Sequence, residues 1–99
     1  MSQFDLYQTS SGEFDFVVEL QNDLVETRTA VVAPLLRADK VERRVKKLMP
    51  LVSIDQMEYI VQIPNLAAVS RTFLKSPAGD LTSSRDELLA ALDFLFVGF

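Results

Sequence analysis

Leucine and phenylalanine residues recur at helical spacing over residues 84–99, where they form one apolar stripe. The stripe consists of Leu88, Leu92, Leu95, Phe96 and Phe99. Ser84 and Glu87 match the Ser-x-x-Glu pattern of a capping box, which predicts the start of the helix. Gly98 predicts its end, because glycine adopts left-handed backbone angles without a steric penalty. We therefore expect a helix that holds the last residues of the chain in a defined position, from which they can contact a partner.

Short apolar runs before this helix predict β-strands. Residues 14–21 alternate between apolar and more polar side chains, which indicates one buried face and one solvent face carrying Glu19. Residues 3–8 are expected to pair with this strand as an antiparallel hairpin across the turn residues 9–12. Further strands are expected at 30–35, 51–54, 59–63 and 71–74, with a turn at 76–79. Pro34 has no N–H donor and predicts a strand end or a sheet edge.

Several short strands followed by one helix predict a mainly β fold, a strongly curved antiparallel barrel or sheet with the helix packed on it. The chain has 99 residues, 48% of them hydrophobic, and shows no internal repeat, so we expect one domain spanning 1–99. A domain of this size buries only a modest core, and an apolar surface shared with a second copy would stabilise it. A homodimer is therefore expected.

The composition excludes most enzyme chemistry. The chain has no cysteine and no histidine, which removes thiolate nucleophiles, the commonest general base and the usual zinc ligands. Asp86 and Glu87 are adjacent carboxylates, but negative charge in a first helical turn is explained by capping and the helix dipole. We expect no catalytic residue, no metal and no cofactor. A histidine-free site of Arg, Asp and Tyr that cleaves RNA stays open as an alternative.

Positive charge is concentrated in one part of an acidic chain. The net charge is −4, which argues against direct nucleic-acid binding. A basic cluster nevertheless lies in residues 37–47 and consists of Arg37, Lys40, Arg43, Arg44, Lys46 and Lys47. It is either a solvated face or a docking site for an acidic partner segment. Val41, Val45 and Leu48 fit a helical stripe there, but the same residues also fit an extended backbone.

The first residues lack the pattern of a signal peptide, and no apolar run reaches the length of a membrane span. We therefore expect a cytoplasmic protein that does not bind a membrane.

Seven collinear segments resemble the CcdB family of toxins over essentially the whole chain. They are QFDLY, FVVELQNDLVET, VVAPL, LMPLVSID, NLAAVS, DLTSSRDELLAALDFLF and VGF. The resemblance implies a homodimer of SH3-like barrels whose C-terminal ends emerge side by side, and an irregular or extended backbone at residues 38–47. It implies a toxin of a type II toxin–antitoxin system that binds the A subunit of DNA gyrase, traps the cleaved gyrase–DNA complex and catalyses no reaction itself. A small acidic CcdA-like antitoxin would neutralise it.

The resemblance also implies contact residues. Those for gyrase are Gln3, Phe4, Tyr7, Asn22, Leu24, Val25, Asp93, Phe96, Val97, Gly98 and Phe99. Those for the antitoxin are the loop Thr9, Ser10, Ser11, Gly12 and Glu13, with Arg43 and Arg44 of the basic cluster as further candidates. For Phe4, Leu24, Val25 and Phe96, a place in the core or a dimer interface is an equal alternative. Val97 stands where the family has tryptophan, and Asp93 replaces a neutral amide.

Two other functions stay open at this point. One is an endoribonuclease toxin on the same fold, like the MazF and Kid toxins. The other is a non-toxic binding module that kept the fold.

Overall fold

The computed structural model describes residues 3–9, 14–24 and 27–98, which form seven β-strands followed by one α-helix. The strands are β1 (Asp5–Gln8), β2 (Phe16–Glu19), β3 (Thr29–Arg37), β4 (Leu51–Ile54), β5 (Met57–Val61), β6 (Ala67–Ser70) and β7 (Gly79–Asp80). The helix α1 spans Arg85–Phe96. The predicted contacts of Ser10 to Glu13, Val25 and Phe99 lie outside the described residues.

The strands form one curled antiparallel sheet in the order β4-β5-β3-β2-β1-β7. The nine-residue strand β3 is its centre. One side of β3 pairs with β2, and the other side pairs first with β6 and then with β5. The register places Val32 opposite Ala67 and Leu35 opposite Val61. The predicted barrel-like β fold with one C-terminal helix is confirmed.

Apolar side chains pack on both faces of the sheet. The larger core contains Phe4, which precedes β1, together with Leu6 of β1 and Val18 of β2, and it is covered by α1, whose Leu88 and Ala91 are fully buried. A fully buried leucine stabilises the fold by about 1.5–3 kcal/mol relative to an exposed one. A smaller core on the opposite face contains Tyr7, Ala30, Val32 and Leu74.

Pro34 does not lie at a strand end or a sheet edge, so that prediction is wrong. It is buried within β3 and faces Val17 of β2. Its carbonyl oxygen accepts a hydrogen bond from the Gln62 N–H at 2.8 Å. In a strand the nitrogen of a residue faces the same side as its carbonyl, and on this side β3 changes its partner from β6 to β5. No ladder donor is needed at that junction.

The strand predicted at 71–74 is also wrong. Arg71–Phe73 form a 3₁₀ turn, and the strand β6 precedes it. Ala67 and Ala68 carry side chains too small to give a strand signal, but both pair with β3. The turn expected at 76–79 is shorter than predicted, because Gly79 already pairs with Leu6 of β1.

The segment 38–48 contains no α-helix, and the irregular backbone implied by the resemblance is confirmed. A 3₁₀ turn, Ala38–Lys40, is followed by irregular chain. The Arg44 Nε donates to the Met49 carbonyl at 2.8 Å and so closes this loop on itself. Val41, Val45 and Leu48, which also fit a helical stripe, therefore do not form the face of a helix.

The predicted capping box is wrong as well. Ser84 makes no side-chain capping hydrogen bond, and its backbone angles (φ −105°, ψ 17°) are not those of an extended N-cap residue. A 3₁₀ turn, Thr82–Ser84, leads directly into α1, so that the Ser84 N–H donates to the Leu81 carbonyl at 2.9 Å. Asp80 starts this turn by accepting the Thr82 N–H, and that bond lowers the pKa of the Asp80 carboxyl.

Candidate partner-binding site

The helix α1 ends in an ordered turn. The Val97 N–H donates to the Asp93 carbonyl at 2.7 Å, and the Gly98 N–H donates to the Phe94 carbonyl at 3.0 Å. Gly98 has φ +87°, which is the left-handed cap that glycine favours. A Cβ at this position would meet nothing within 4 Å, so the backbone angle, and not crowding, accounts for glycine here. The predicted helix stop is confirmed.

The side chains at this helix end are exposed and apolar. Phe96 is 69% exposed and Val97 is 62% exposed, and Asp93 is exposed one turn earlier. We call Phe96, Val97 and Gly98 the tip. Large apolar side chains that protrude together from a rigid helix end are typical of a surface that binds a partner.

A second exposed apolar residue, Leu24, lies in the segment that follows β2. Leu24 is 91% exposed, and its N–H donates to the Asn22 Oδ1 at 2.8 Å in a tight turn. Gln3 fixes the start of this segment, because its side-chain amide donates to the Leu20 carbonyl at 3.0 Å and its backbone N–H donates to the Asp23 carboxylate. The turn therefore presents Leu24 to solvent from a hydrogen-bonded base.

Phe4 adopts a backbone angle that is rare for a bulky residue. Its φ is +69°, and its side chain is buried. The Phe4 N–H donates to the Glu19 carbonyl at 2.6 Å, and its own carbonyl accepts the Leu81 N–H at 2.8 Å. A strained backbone persists only where its surroundings fix it, so these two hydrogen bonds and the burial of the side chain hold Phe4 in place.

Tyr7 and Glu19 form a buried polar pair that the sequence did not predict. Glu19 is only 3% exposed, which corrects its assignment to the solvent face of β2. The Tyr7 hydroxyl lies 3.4 Å from the Glu19 Oε1, and the Arg71 Nη2 lies 3.2 Å from its Oε2. Burial, followed by the negative charge of Glu19, raises the pKa of the Tyr7 hydroxyl to about 12. The one sign in the sequence that this face of β2 is buried is Val17, an apolar residue among the polar positions of the strand.

Burial divides the gyrase-contact residues that the resemblance implies. Five of them present side chains to solvent, namely Asn22, Leu24, Asp93, Phe96 and Val97. Gln3 is partly buried, while Phe4 and Tyr7 lie in the two cores. Of the two alternatives for Phe4, the structure thus shows the core position. The exposed residues lie on two elements, the end of α1 and the segment after β2.

The basic cluster borders a groove beside α1. The groove has a volume of about 370 Å³ and is lined by Arg44, Lys46, Lys47, Pro50, Glu87, Ala90 and Phe94. The Lys47 Nζ lies 5.4 Å from the centre of the Phe94 ring. Within the described part of the chain, Arg37 pairs with Asp39 at 3.1 Å, whereas Arg43, Arg44, Lys46 and Lys47 form no ion pair. Unpaired cations around an apolar floor suit an acidic, amphipathic segment.

A second groove lies beside Thr9. It has a volume of about 290 Å³ and is lined by Gln8, Thr9, Phe14, Val17, Val32, Val69, Phe73 and Leu74. The Thr9 N–H donates to the Asp15 carbonyl at 3.2 Å, and its hydroxyl donates to the Phe14 carbonyl. Phe73 is 74% exposed at the rim, and no local sequence pattern singles it out. Of the residues implied for the antitoxin, Thr9 and Arg44 therefore line grooves.

No group of three or more potential metal ligands occurs among residues 3–9, 14–24 and 27–98. In the same described residues, no helix combines the length and the apolar character needed to cross a membrane.

A family model described as CcdB protein matches residues 3–98, which is nearly the whole chain. No individual curated protein matches it. The match agrees with the order of segments along the sequence and with the curled antiparallel sheet that precedes a single helix. The chain belongs to the CcdB family and is a toxin of the toxin–antitoxin class.

Proposed function

We propose that this toxin poisons DNA gyrase in the cytoplasm. Its tip binds the A subunit of gyrase and traps the complex in which the DNA is cut, and the toxin itself catalyses no reaction. The observation that carries this proposal is the exposed apolar tip, in which Phe96 and Val97 are 69% and 62% exposed at the end of an ordered helix. An exposed apolar surface of this kind is stabilised when a partner covers it.

A homodimer is part of the proposal, because it would present two tips to a two-fold target. Two linked contacts act at high effective concentration, so a modest contact in each chain can give tight binding. Gyrase contains two A subunits, and the symmetry of such a dimer would match that of its target.

Within each chain, the contact residues divide by exposure. Asn22, Leu24 and Asp93 contact gyrase directly together with the tip, since their side chains are exposed. Phe4 and Tyr7 are buried and support the contact surface from within, and Gln3 anchors the segment that carries Leu24. The proposal also assigns Val25 and Phe99 to gyrase binding, as the family resemblance implies.

Phe96 supplies the aromatic contact that Val97 lacks. The family resemblance places a tryptophan at position 97, where this chain has valine. The neighbouring Phe96 is exposed and carries an aromatic ring. Aromatic residues carry a disproportionate share of binding free energy at interfaces. Binding without the tryptophan therefore depends on Phe96, with Val97 adding a smaller apolar contact.

The experiment mixes the purified toxin with gyrase, supercoiled DNA and ATP and measures linear DNA after denaturation. We expect linear DNA that increases with toxin concentration, because a trapped cleavage complex releases cut DNA when the protein is denatured. A parallel incubation with RNA, without gyrase, measures RNA fragments. RNA fragments would instead show a ribonuclease toxin, and neither product would show a binding module without gyrase activity.

We also propose that a small acidic, CcdA-like antitoxin binds at the two grooves. Thr9 lines one groove and precedes Ser10, Ser11, Gly12 and Glu13 in the sequence, and three cations of the basic cluster, Arg44, Lys46 and Lys47, line the groove beside α1. Opposite charges attract over about 10 Å at 0.1 M salt and over longer distances at lower salt, so the cations would speed the encounter with an acidic segment.

Charge reversal of Arg43 and Arg44 tests the basic groove. We expect Arg43→Glu with Arg44→Glu to slow antitoxin association about tenfold at low salt and to weaken its dependence on salt. Arg44 also holds the Met49 carbonyl, so Arg43→Glu with Lys46→Glu keeps that hydrogen bond and should give the same result. Lys75→Glu is the matched control, an exposed cation outside the cluster. Unchanged association kinetics would remove the basic groove from the antitoxin site.

A further inference from the structure

Arg71 connects a buried carboxylate to the end of the segment that carries Leu24. Its Nη2 lies 3.2 Å from the Glu19 Oε2, and its Nε donates to the Thr27 carbonyl at 2.7 Å. Its backbone N–H donates to the Arg28 carbonyl at 3.0 Å. One residue therefore fixes two successive peptide units where the chain returns to β3.

The orientation of Arg71 is itself fixed. Its side chain is only 20% exposed, and the side chain of Glu19, its ion-pair partner, is 4% exposed. A buried carboxylate strongly favours a cation at hydrogen-bond distance, because an unpaired charge in that position is very unfavourable. The Tyr7 hydroxyl lies 3.4 Å from the other carboxylate oxygen of Glu19, Oε1. Glu19 thus fixes the position of the guanidinium that contacts the Thr27 carbonyl.

The opposite end of the same segment is also tied down. We use the name Leu24 segment for residues 20–24 and 27–28. The Gln21 side-chain amide donates to the Thr27 hydroxyl at 3.1 Å and connects the two ends. Between them lies the turn at Asn22, in which the Leu24 side chain is 91% exposed. The position of an apolar side chain in solvent is therefore determined by polar contacts at the base of the segment.

We propose that Arg71 is a positioning residue for the toxin's target surface. Anchored on Glu19, it holds the base of the Leu24 segment so that Leu24 is presented in its binding position before the target arrives. A preorganised contact avoids the loss of conformational freedom on binding, and apparent affinity falls in proportion to the fraction of molecules in the competent conformation. The proposal rests on the proposed function in one respect, namely that the A subunit of gyrase is the target.

Arg71→Lys tests this role. Lysine keeps the charge, but a single ammonium cannot reproduce the guanidinium fork that reaches the Glu19 carboxylate and the Thr27 carbonyl together. We expect the backbone order parameter of the Leu24 amide to fall from about 0.85, as for rigid backbone, to below about 0.6. The affinity for the A subunit of gyrase should fall about tenfold, corresponding to a competent fraction of roughly one tenth.

A double-mutant cycle separates positioning from a general loss of stability. Leu24→Ala removes the side chain that Arg71 is proposed to position, so adding Arg71→Lys to Leu24→Ala should weaken binding by less than about twofold more. If Arg71 acted independently of Leu24, the tenfold loss would appear again in the double variant. Arg85→Lys is the matched control, an exposed arginine at the first residue of α1, and should leave the affinity and the Leu24 order parameter unchanged.

An unchanged Leu24 order parameter in Arg71→Lys would overturn the proposal, as would effects on affinity that multiply fully in the double variant. Failure of the intact toxin to bind gyrase is a separate result, because it overturns the proposed function. In that case the order parameters alone decide whether Arg71 positions the Leu24 segment.

Discussion

Deletion of Gly98 and Phe99 is expected to abolish growth arrest and to lower the affinity for the A subunit of gyrase by about 100-fold or more. The deletion removes the left-handed cap at Gly98, so Val97 loses the turn that fixes its position. It also removes an aromatic side chain from the end of the chain. Loss of a central interface aromatic costs about 2–4 kcal/mol of binding free energy, and each 1.4 kcal/mol is a factor of ten in affinity.

The same deletion should leave the fold intact. Val97 and Gly98 are exposed, and exposed positions contribute within about 0.5 kcal/mol to the free energy of unfolding. The measurements are growth after induced expression, affinity for the gyrase A subunit, and thermal unfolding. Phe99→Tyr is the matched control, because it keeps the chain length and the aromatic ring, and it should retain most of the toxicity. Growth arrest by a folded variant that ends at Val97 would contradict the role of the tip.

Leu88→Ala should produce the largest loss of stability. Leu88 is fully buried where α1 packs on the sheet, so the substitution removes apolar contacts and leaves a cavity under the helix. Substitutions of this kind cost about 2–5 kcal/mol. For a domain of this size, a loss of about 3 kcal/mol lowers the melting temperature by roughly 12–24 °C. Thermal and urea unfolding at matched protein concentration measure the effect.

Leu24→Ala is the matched control for that experiment. The chemical change is the same, but Leu24 is 91% exposed, so stability should change by less than about 0.5 kcal/mol. The two variants should therefore differ in which property they change. Leu88→Ala lowers the stability of the fold, whereas Leu24→Ala weakens gyrase binding and leaves the stability unchanged. A stable Leu88→Ala variant would show that α1 is not held on the sheet by this side chain.

The local patterns along the sequence predicted the elements whose signals are strong and continuous. The strand at Leu51–Ile54 and the helix stop at Gly98 occur as predicted, because alternation and a glycine after an apolar stripe act through neighbouring residues. Helix α1 was also predicted, but the capping box was not used, since the chain enters the helix through a 3₁₀ turn.

Other features depend on residues that are distant in sequence. The strand Ala67–Ser70 exists because β3 offers it a partner, and Pro34 is tolerated because β3 exchanges one partner for another at that point. The burial of Glu19 depends on Arg71, which lies 52 positions later in the chain. Local periodicity cannot predict such pairings.

The candidate site shows the same division. The tip was predictable, because an apolar stripe running to Gly98 is a local pattern. The roles of Phe4 and Tyr7 were not, since their burial depends on how β1 packs against the rest of the sheet. The exposure of their side chains divides the implied gyrase contacts into two groups, one at the surface and one that supports the surface from within.

The affinity of the toxin for the A subunit of gyrase, measured with two alanine variants, tests the central claim most directly. Phe96 and Phe73 are both highly exposed phenylalanines, at 69% and 74%, and only Phe96 belongs to the tip. We predict that Phe96→Ala weakens binding at least tenfold, as expected for an interface aromatic, and that Phe73→Ala changes it by less than about twofold. Equal affinities for the two variants, whether both unchanged or both reduced, would contradict the assignment of the tip as the gyrase-binding surface.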